Sequence, residues 1–271
     1  MNKFSVLISI YYKEKPEYFN RAMQSIWDEQ TIKPNEIILV QDGKLTEELY
    51  EIIDKWKNKL GEILKIIPLE ENVGLGNALN EGMKHCSYEL TARMDTDDIA
   101  LPNRFEKQLK VFENGDIDIC SSWVSEFENN ENKIVSYRKV PELNEEITKY
   151  GKLRCPINHP AVMYKKSIVQ KAGGYKKMMW FEDYYLWARM IVIGAKFYNI
   201  QEALVNMRAG YGQLERRSGL KYAISEYNLQ KEFLKLKFIN IFEFLRNVSI
   251  RFFTRVIPKK FVKLIYKLLR S

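Results

Sequence analysis

Three aspartates lie within four positions in the segment ELTARMDTDDIALPNRF, residues 89–105. Side chains alternate between two faces of an extended chain, so Asp95 and Asp97 point the same way and converge. Two ionised carboxylates that close raise the pKa of one of them unless a cation or a hydrogen-bond donor neutralises them. A hard divalent cation, Mg²⁺ or Mn²⁺, that completes its shell with phosphate oxygens fits such a pair. The alternative is that Asp97 or Asp98 caps the helix that Pro102 begins.

A second acidic pair, Glu182 and Asp183, begins the segment EDYYLWARMIVIG. Helical spacing places Asp183 on the same, inward face as three apolar residues, which are Leu186, Trp187 and Met190. A carboxylate on the buried face of a first helical turn is costly unless it is paired or used, and partial burial raises its pKa towards that of a general base. The alternative is that both acids only favour the helix dipole at the N-terminus.

The elements that must position these acids alternate along the first half of the chain. Strand-like segments cover residues 4–12, 36–42, 63–69, 88–95 and 118–127. Helical segments between them begin at Pro16, Leu45, Gly74 and Pro102. This alternation predicts an α/β fold with a mostly parallel central sheet and helices on both faces. Ligands of such sheets bind beyond the carboxyl ends of the strands, where the aspartates of the fourth strand lie.

Further residues with binding potential follow the other predicted strands. Tyr11 and Tyr12 end the first strand, Asp42 ends the second, and the glycine-containing segment ENVGLGNALNEG follows the third. An aromatic ring can stack on a base, an aspartate can accept a hydrogen bond from a pyrimidine or a ribose, and glycines permit close approach of an anion to a helix N-terminus. Each feature alone is more often packing or a turn. Their joint position at one edge of the sheet indicates a nucleotide site.

The pattern is less regular after residue 128. It predicts a hairpin turn at 129–133, a short helix at 142–152, a strand at 159–164 and a loop at 173–175 before the helix that carries the second acidic pair. There is no internal repeat and no low-complexity linker. We therefore predict one catalytic domain, residues 1–230, followed by a tail, residues 231–271.

The tail holds the whole excess of positive charge. The net charge is +8, but residues 231–271 contain 11 Lys or Arg and 2 acids, which leaves 32 basic and 33 acidic residues in 1–230. Apolar residues recur in steps of three and four from Leu234 to Val256 and again after Pro258, with Lys and Arg interleaved. This predicts C-terminal amphipathic helices, one basic helix broken once at Pro258, suited to an anionic membrane surface and not to nucleic acid. The alternative is that the helix packs on the catalytic domain.

The apolar stretches and the cysteines indicate the cellular compartment in which the protein works. The apolar run after Met1-Asn2-Lys3 is short and lacks a cleavage site, and no apolar stretch reaches the roughly 18 residues of a membrane span. The three cysteines are odd in number and widely spaced, which argues against a disulfide framework or a zinc site. These observations predict a cytoplasmic protein, held peripherally on the inner face of the plasma membrane by its tail.

Three stretches in this order resemble the family 2 inverting glycosyltransferases of the nucleotide-diphospho-sugar transferase (GT-A) fold. They are SVLISIYYKEKPEYFNRAMQSIWDEQTIKPNEIILVQDG, ENVGLGNALNEGMKHCSYELTARMDTDD and FEDYYLWARM, and the resemblance extends over roughly residues 4–210. The strings INHPAVMYKKS, AGGY and MRAGYGQLERRSG make the chain most similar to enzymes of bacterial O-antigen, capsule and exopolysaccharide assembly, including the amylovoran type.

The resemblance implies roles for the residues at the strand ends. Tyr11 and Asp42 would hold the uracil of a UDP-sugar, Asp95 would contact the ribose or the sugar, and Asp97 would ligate the Mn²⁺ or Mg²⁺ that bridges the diphosphate. The family usually has a second acid before the aspartate of strand two, and here that residue is Gln41. The assignment of uridine therefore depends on Asp42 alone.

An inverting transfer also needs a base on the side opposite the leaving nucleotide, to accept the proton of the attacking hydroxyl. The resemblance implies that Asp183 is this base, and Glu182 and His159 are candidates for acceptor contacts. His159, in INHPAVMY, has the alternative of a structural histidine beside two prolines. Arg208, Arg216 and Arg217 either meet a diphosphate or form solvated surface.

The sequence thus predicts metal-dependent, inverting transfer of a hexose from UDP-glucose or UDP-galactose to a polyprenyl-diphosphate-linked saccharide. One alternative is a sugar-1-phosphate nucleotidyltransferase, which carries a glycine-rich phosphate loop after strand one; this chain has no glycine before Gly43. Another is a catalytically silent membrane scaffold with the same fold, which the intact set Asp42, Asp95, Asp97 and Asp183 disfavours.

Overall fold

The first half of the chain alternates strands with helices in the computed structural model, which describes residues 2–113, 115–209 and 219–256, with side chains of the last helix to residue 251. The strands are β1 (Phe4–Ile10), β2 (Glu36–Gln41), β3 (Leu64–Pro68), β4 (Leu90–Met94) and the short β5 (Ile99–Ala100). The helices are α1 (Pro16–Trp27), α2 (Glu47–Leu60), α3 (Leu75–His85) and α4 (Arg104–Phe112). β3, β2, β1 and β4 pair in this order and in parallel, which confirms the predicted alternation.

The second half adds antiparallel pairs to the sheet. It contains β6 (Ile119–Phe127), β7 (Ile134–Arg138), α5 (Asn144–Gly151), β8 (Met163–Lys165), α6 (Lys166–Lys171), α7 (Glu182–Val192) and β9 (Phe197–Arg208). The sheet continues from β4 through β8, β6 and β9 to β5, and β7 forms a hairpin with β6. β8 is antiparallel to both β4 and β6, whereas β6 and β9 are parallel.

The prediction of a strand over 159–164 was wrong at its start. Residues His159–Ala161 form a 3₁₀ turn, and the strand begins only at Met163. Pro160 explains the difference, because proline fixes φ near the value of a helical turn and cannot donate to a strand ladder.

Helices cover both faces of the parallel strands, so neighbouring side chains enter different cores. Val6 and Ile8 pack in the core shared with α1, α2 and α4, whereas Leu7 packs with α3 and α7. Helix α3 lies so close to the sheet that a Cβ at Gly82 would be 2.5 Å from side-chain carbons of Leu7 and Val40. Glycine is therefore required where α3 crosses β1 and β2.

Two C-terminal helices pack against α7. They are α8 (Leu220–Lys235) and α9 (Ile241–Val256), and the predicted domain boundary after residue 230 falls within α8. A third hydrophobic cluster, separate from the two cores of the sheet, joins α7 to α8. In it the rings of Tyr184 and Phe233 are 4.9 Å apart. Within the described residues, every helix is too short or too polar to cross a lipid bilayer.

The prediction of one helix from Leu234 to Val256 was wrong, because the chain is interrupted at residues 236–240. The Asn240 side chain accepts the Glu243 N–H (2.9 Å), and the Asn240 N–H donates to the Glu243 carboxylate (2.8 Å). This reciprocal capping box starts α9 at Ile241. The predicted break at Pro258 lies outside the described residues.

Candidate active site

A cavity of about 1100 Å³ lies beyond the carboxyl ends of β1 and β4. It brings together six of the seven predicted site residues, which are Tyr11, Asp95, Asp97, His159, Glu182 and Asp183. The seventh, Asp42, is absent from the described residues that line it. The two acidic segments, almost 90 residues apart in the sequence, thus face one space.

Asp95 is held by an arginine from the end of β4. The guanidinium of Arg93 donates to both carboxylate oxygens of Asp95. The two side chains meet because residues two apart in an extended chain share a face. Arg93 is 2% exposed and the Asp95 side chain 30%, so a buried cation fixes an accessible carboxylate.

The negative charge of Asp97 is unfavourable when no ligand is bound. Burial, together with the nearby charges of Asp95 and Glu14, raises its pKa to about 7. Asp98 is 2% exposed and accepts the backbone N–H of Arg208 (2.8 Å), which ties the acidic segment to β9. The alternative that Asp97 or Asp98 caps a helix was wrong, because α4 begins at Arg104 with Asn103 in the cap position.

Two further residues, Glu14 and Arg208, border the acidic segment. The sequence analysis did not select Glu14, and it left the role of Arg208 open. Glu14, from the loop after β1, accepts a hydrogen bond from Thr96, and burial raises its pKa. Arg208 donates from Nε to the carbonyl of Asp97 (3.2 Å), and its guanidinium lies 3.8 Å from the ring centre of Tyr18. Sequence periodicity could not indicate Glu14 as a site residue, because its hydrogen-bond partner, Thr96, is 82 positions away in the chain. Arg216 and Arg217 lie outside the described residues.

The donor set fits a metal that shares its shell with a substrate. Among the described residues, no group of three or more His, Cys, Asp or Glu side chains is arranged to hold an ion. Mg²⁺ and Mn²⁺ sites completed by substrate phosphates need only one or two carboxylates. Asp97, half-buried and with its pKa raised to about 7, is the carboxylate that a cation would keep ionised.

The second acidic pair lies in the first turn of α7. Leu186, Trp187 and Met190 are fully buried, which confirms the predicted inward face. Burial raises the pKa of Glu182, and Asp183 accepts the N–H of Tyr184 (2.7 Å). The pair approaches the start of α3 closely, since a Cβ at Gly76 would be 3.5 Å from Glu182 Cγ.

His159 forms a wall of the cavity between these acids. Its Nε2 lies 2.9 Å from the hydroxyl of Tyr175, and its ring packs 5.8 Å from that of Trp187. Burial, with Arg93 nearby, holds the pKa of His159 well below its usual range, so the ring is neutral. Asn80 of α3 fixes Tyr175 through two hydrogen bonds of 2.8 Å to its backbone N–H and carbonyl.

Asp42 is engaged in local structure. It is 3% exposed, and its two carboxylate oxygens accept the N–H groups of Val73 (2.7 Å) and Gly74 (3.2 Å), which orders the turn into α3. Tyr11, by contrast, is 41% exposed and lies on the cavity wall. A contact of Asp42 with uracil stays a prediction.

Comparisons with known proteins agree with this geometry. The family model described as glycosyl transferase family 2 matches residues 5–171. A UDP-Gal:alpha-D-GlcNAc-diphosphoundecaprenol beta-1,3-galactosyltransferase of Escherichia coli is 44% identical over 266 residues, which cover 98% of this chain and 95% of that protein. The amylovoran biosynthesis glycosyltransferase AmsE of Erwinia amylovora is 38% identical over 264 residues, which cover 97% of this chain and 98% of that protein.

Solved structures show the same fold. The structure of S. aureus TarS in complex with UDP-GlcNAc has a TM-score of 0.69 at 17% identity, and the match covers 93% of this chain and 73% of that one. The architecture is therefore the predicted GT-A fold. From its sequence, its fold and the acids gathered in its cavity, the chain belongs to glycosyl transferase family 2.

Proposed function

We propose that the protein is a metal-dependent, inverting hexosyltransferase that moves a sugar from a UDP-sugar to a polyprenyl-diphosphate-linked saccharide. The observation that carries the proposal is that Asp97 and Asp183 line one cavity. The relative from Escherichia coli favours UDP-galactose as the donor, ahead of UDP-glucose, and GlcNAc-diphosphoundecaprenol as the acceptor. Similarity to AmsE supports a role in bacterial surface polysaccharide assembly.

The donor would lie at the carboxyl ends of β1 and β4. Tyr11 is exposed there and offers a ring for the base, and Asp95, oriented by Arg93, can accept hydrogen bonds from ribose or sugar hydroxyls. Asp97 would hold Mn²⁺ or Mg²⁺ together with diphosphate oxygens. Such a cation, when bound, stabilises the negative charge that grows on the departing diphosphate.

The acceptor hydroxyl would react on the side of α7. Asp183 accepts its proton while the new bond forms between the acceptor oxygen and the anomeric carbon. The bond from that carbon to the diphosphate oxygen breaks, UDP leaves, and the anomeric configuration inverts. A base on a different element from the metal-binding acids meets the geometric demand of an in-line displacement.

The tail would hold the enzyme at the cytoplasmic face of the plasma membrane. Seven of its 11 basic residues lie between residues 251 and 270. Helix α9 also exposes large apolar side chains, and Ile241, Phe242 and Leu245 are 49%, 79% and 55% exposed. Apolar exposure beside basic charge supports adsorption to anionic lipid.

Donor turnover tests the proposal. Purified protein is incubated with GlcNAc-diphosphoundecaprenol and each of UDP-galactose, UDP-glucose and their N-acetyl forms, and UDP release is measured. We expect release with Mn²⁺ or Mg²⁺, its loss with EDTA, and a product with inverted anomeric configuration by NMR. Absence of UDP release with every donor would instead favour the silent scaffold.

A further inference from the structure

Besides the two acidic pairs, a second set of residues lines the cavity, and we call the part that they line the distal arm. They come from the end of β7, the segment after α5, the loop before α7, and α8 and α9. The residues that matter there are Lys139, Leu153, Arg154, Trp180, Ile250 and Arg251. The proposed contacts with the donor, the metal and the attacking hydroxyl use none of them.

The distal arm carries more positive charge than its acids balance. Lys139 and Arg154 are exposed, and neither forms a salt bridge with a carboxylate in the described part of the chain. Nζ of Lys139 lies 4.7 Å from the ring centre of Trp123. Arg251, in contrast, pairs with Glu226 and donates to the carbonyl of Leu153, which ties α9 to the arm. The positive charges of Lys139 and Arg154 can therefore interact with an anionic ligand.

Apolar side chains stand exposed beside these cations. Leu153 is 44%, Trp180 41% and Ile250 58% exposed. Trp180 packs on Tyr222 at 5.3 Å between ring centres and has a φ of +67°, a backbone conformation that costs energy in a residue other than glycine. The adjacent loop is fixed by a hydrogen bond of 2.7 Å from Ser225 to the Met179 carbonyl. The fold thus holds an indole open to the cavity.

A cationic patch beside exposed apolar side chains matches a ligand with an anionic head and a hydrocarbon chain. The distal arm is also close to the proposed base, because Trp180 is three residues before Asp183. The anionic head of an acceptor is one sugar away from the reacting hydroxyl, so it must lie near the base yet apart from the donor diphosphate.

We infer that the distal arm binds the lipid-diphosphate end of the acceptor. Lys139 and Arg154 contact the diphosphate, and Leu153, Trp180 and Ile250 contact the first prenyl units. The inference rests on the proposed function and assigns its acceptor a place in the cavity. It also gives α9 a role in the active site, since Ile250 and Arg251 belong to that helix.

Two acceptors that differ in the diphosphate test the inference. One is GlcNAc-diphosphate on a short prenyl chain, and the other is an alkyl GlcNAc glycoside without phosphate. The test variants are Lys139→Ala and Arg154→Ala, each alone and both together, and Arg154→Lys is the conservative change. Lys171→Ala is the control, because Lys171 is an exposed lysine of α6 that does not line the cavity. UDP affinity is measured in parallel by calorimetry.

The double variant should raise KM for the diphosphate acceptor by about tenfold or more, because charge-assisted contacts are lost. Its kcat, its UDP affinity and its KM for the phosphate-free acceptor should match those of the unmodified enzyme. Arg154→Lys, which keeps the positive charge, should raise KM for the diphosphate acceptor much less than Arg154→Ala. Binding of the prenyl diphosphate probe in saturating UDP and Mn²⁺, which fill the donor site, should weaken in parallel.

The outcomes separate the inference from the proposed function. If the enzyme transfers sugar and the double variant behaves like Lys171→Ala with the diphosphate acceptor, the distal arm does not bind the lipid-diphosphate end and the proposed function stands. If UDP binds but neither acceptor is glycosylated, the proposed function fails, and the inference fails with it.

Discussion

At the scale of single residues, Asp97 and Asp183 have different surroundings. Asp97 lies in a cluster with Asp95 and Glu14, where burial and neighbouring charge disfavour its ionised form. Asp183 belongs to the first turn of α7, where N–H groups without helical partners favour a negative charge. The first environment suits the proposed cation, and the second suits the proposed general base.

Asp183→Asn should lower kcat by about 10²–10⁴-fold, since an amide cannot accept the proton of the acceptor hydroxyl. UDP affinity should persist, because the proposed donor site is at the other acidic segment. Single-turnover kinetics and calorimetry separate these effects. Glu182→Gln, the matched change at the neighbouring position, should cost less, and normal transfer by Asp183→Asn would refute the assignment of the base.

The lowered pKa of His159 predicts how the stability of the fold depends on pH. Its folded pKa lies below the usual value of 6.5, so the unfolded chain binds the proton more tightly, and stability falls as pH drops through 6.5. His159→Gln keeps a polar side chain beside Tyr175 and should remove this loss, which is at most about 1.4 kcal/mol per pH unit. Thermal unfolding between pH 5 and 8 measures the effect. His85→Gln, at the other histidine, serves as the control, and an unchanged slope in His159→Gln would contradict the prediction.

At the scale of elements, α3 positions much of the site through polar contacts of Asn80 and of the turn that precedes the helix. Its Asn80 holds Tyr175 at both backbone groups, and Tyr175 contacts His159. The turn before α3 is ordered by Asp42. The helix thus connects the second strand to the loop that precedes α7, and so links the proposed donor and acceptor sides of the cavity.

The capping box of α9 gives a prediction at this scale. Asn240→Ala removes the acceptor for the Glu243 N–H and should lower the free energy of unfolding by about 1 kcal/mol. Urea denaturation followed by circular dichroism checks the value. Asn103→Ala is the matched control, because Asn103 occupies the cap position of α4 without a side-chain cap hydrogen bond. Equal losses in both variants would show that the capping box contributes nothing specific.

At the scale of the whole molecule, the two parts of the sheet serve different sides of the cavity. The parallel strands β1 and β4 carry Tyr11 and Asp95, whereas the mixed part and the C-terminal helices carry Arg208 and the distal arm. Helices α8 and α9 pack on α7 and also line the cavity. The C-terminal region therefore combines packing on the catalytic domain with the proposed contact to the membrane.

Removal of residues 257–271 tests the membrane proposal. The shortened chain should lose binding to vesicles that contain anionic lipid, because five basic residues are removed and each contributes on the order of 1 kcal/mol near such a surface. Transfer to a soluble, short-chain acceptor should be unchanged. Vesicle sedimentation at increasing salt measures the loss, with neutral vesicles as the control. Full retention on anionic vesicles would place the contact elsewhere.

The sequence by itself was enough to predict most of the strands and helices and the acidic residues that line the cavity. Period-two and period-3.6 patterns predicted the strands, the helices and the inward face of α7, because both periods follow from backbone geometry. The interruption before α9 was also readable, since Asn240 and Glu243 have capping-box spacing, although the continuous apolar stripe hid it. The spacing of Arg93 and Asp95 likewise placed the two side chains on one face.

Only the tertiary structure decided which of these residues meet. Glu14 joins Thr96 across 82 positions, and Arg208 joins Asp98 across 110. Asp42, which was predicted to contact a ligand, accepts two N–H groups of the turn before α3. A local pattern fixes the face on which a side chain lies, but its partner depends on how the elements pack, and packing is set by contacts between distant parts of the chain.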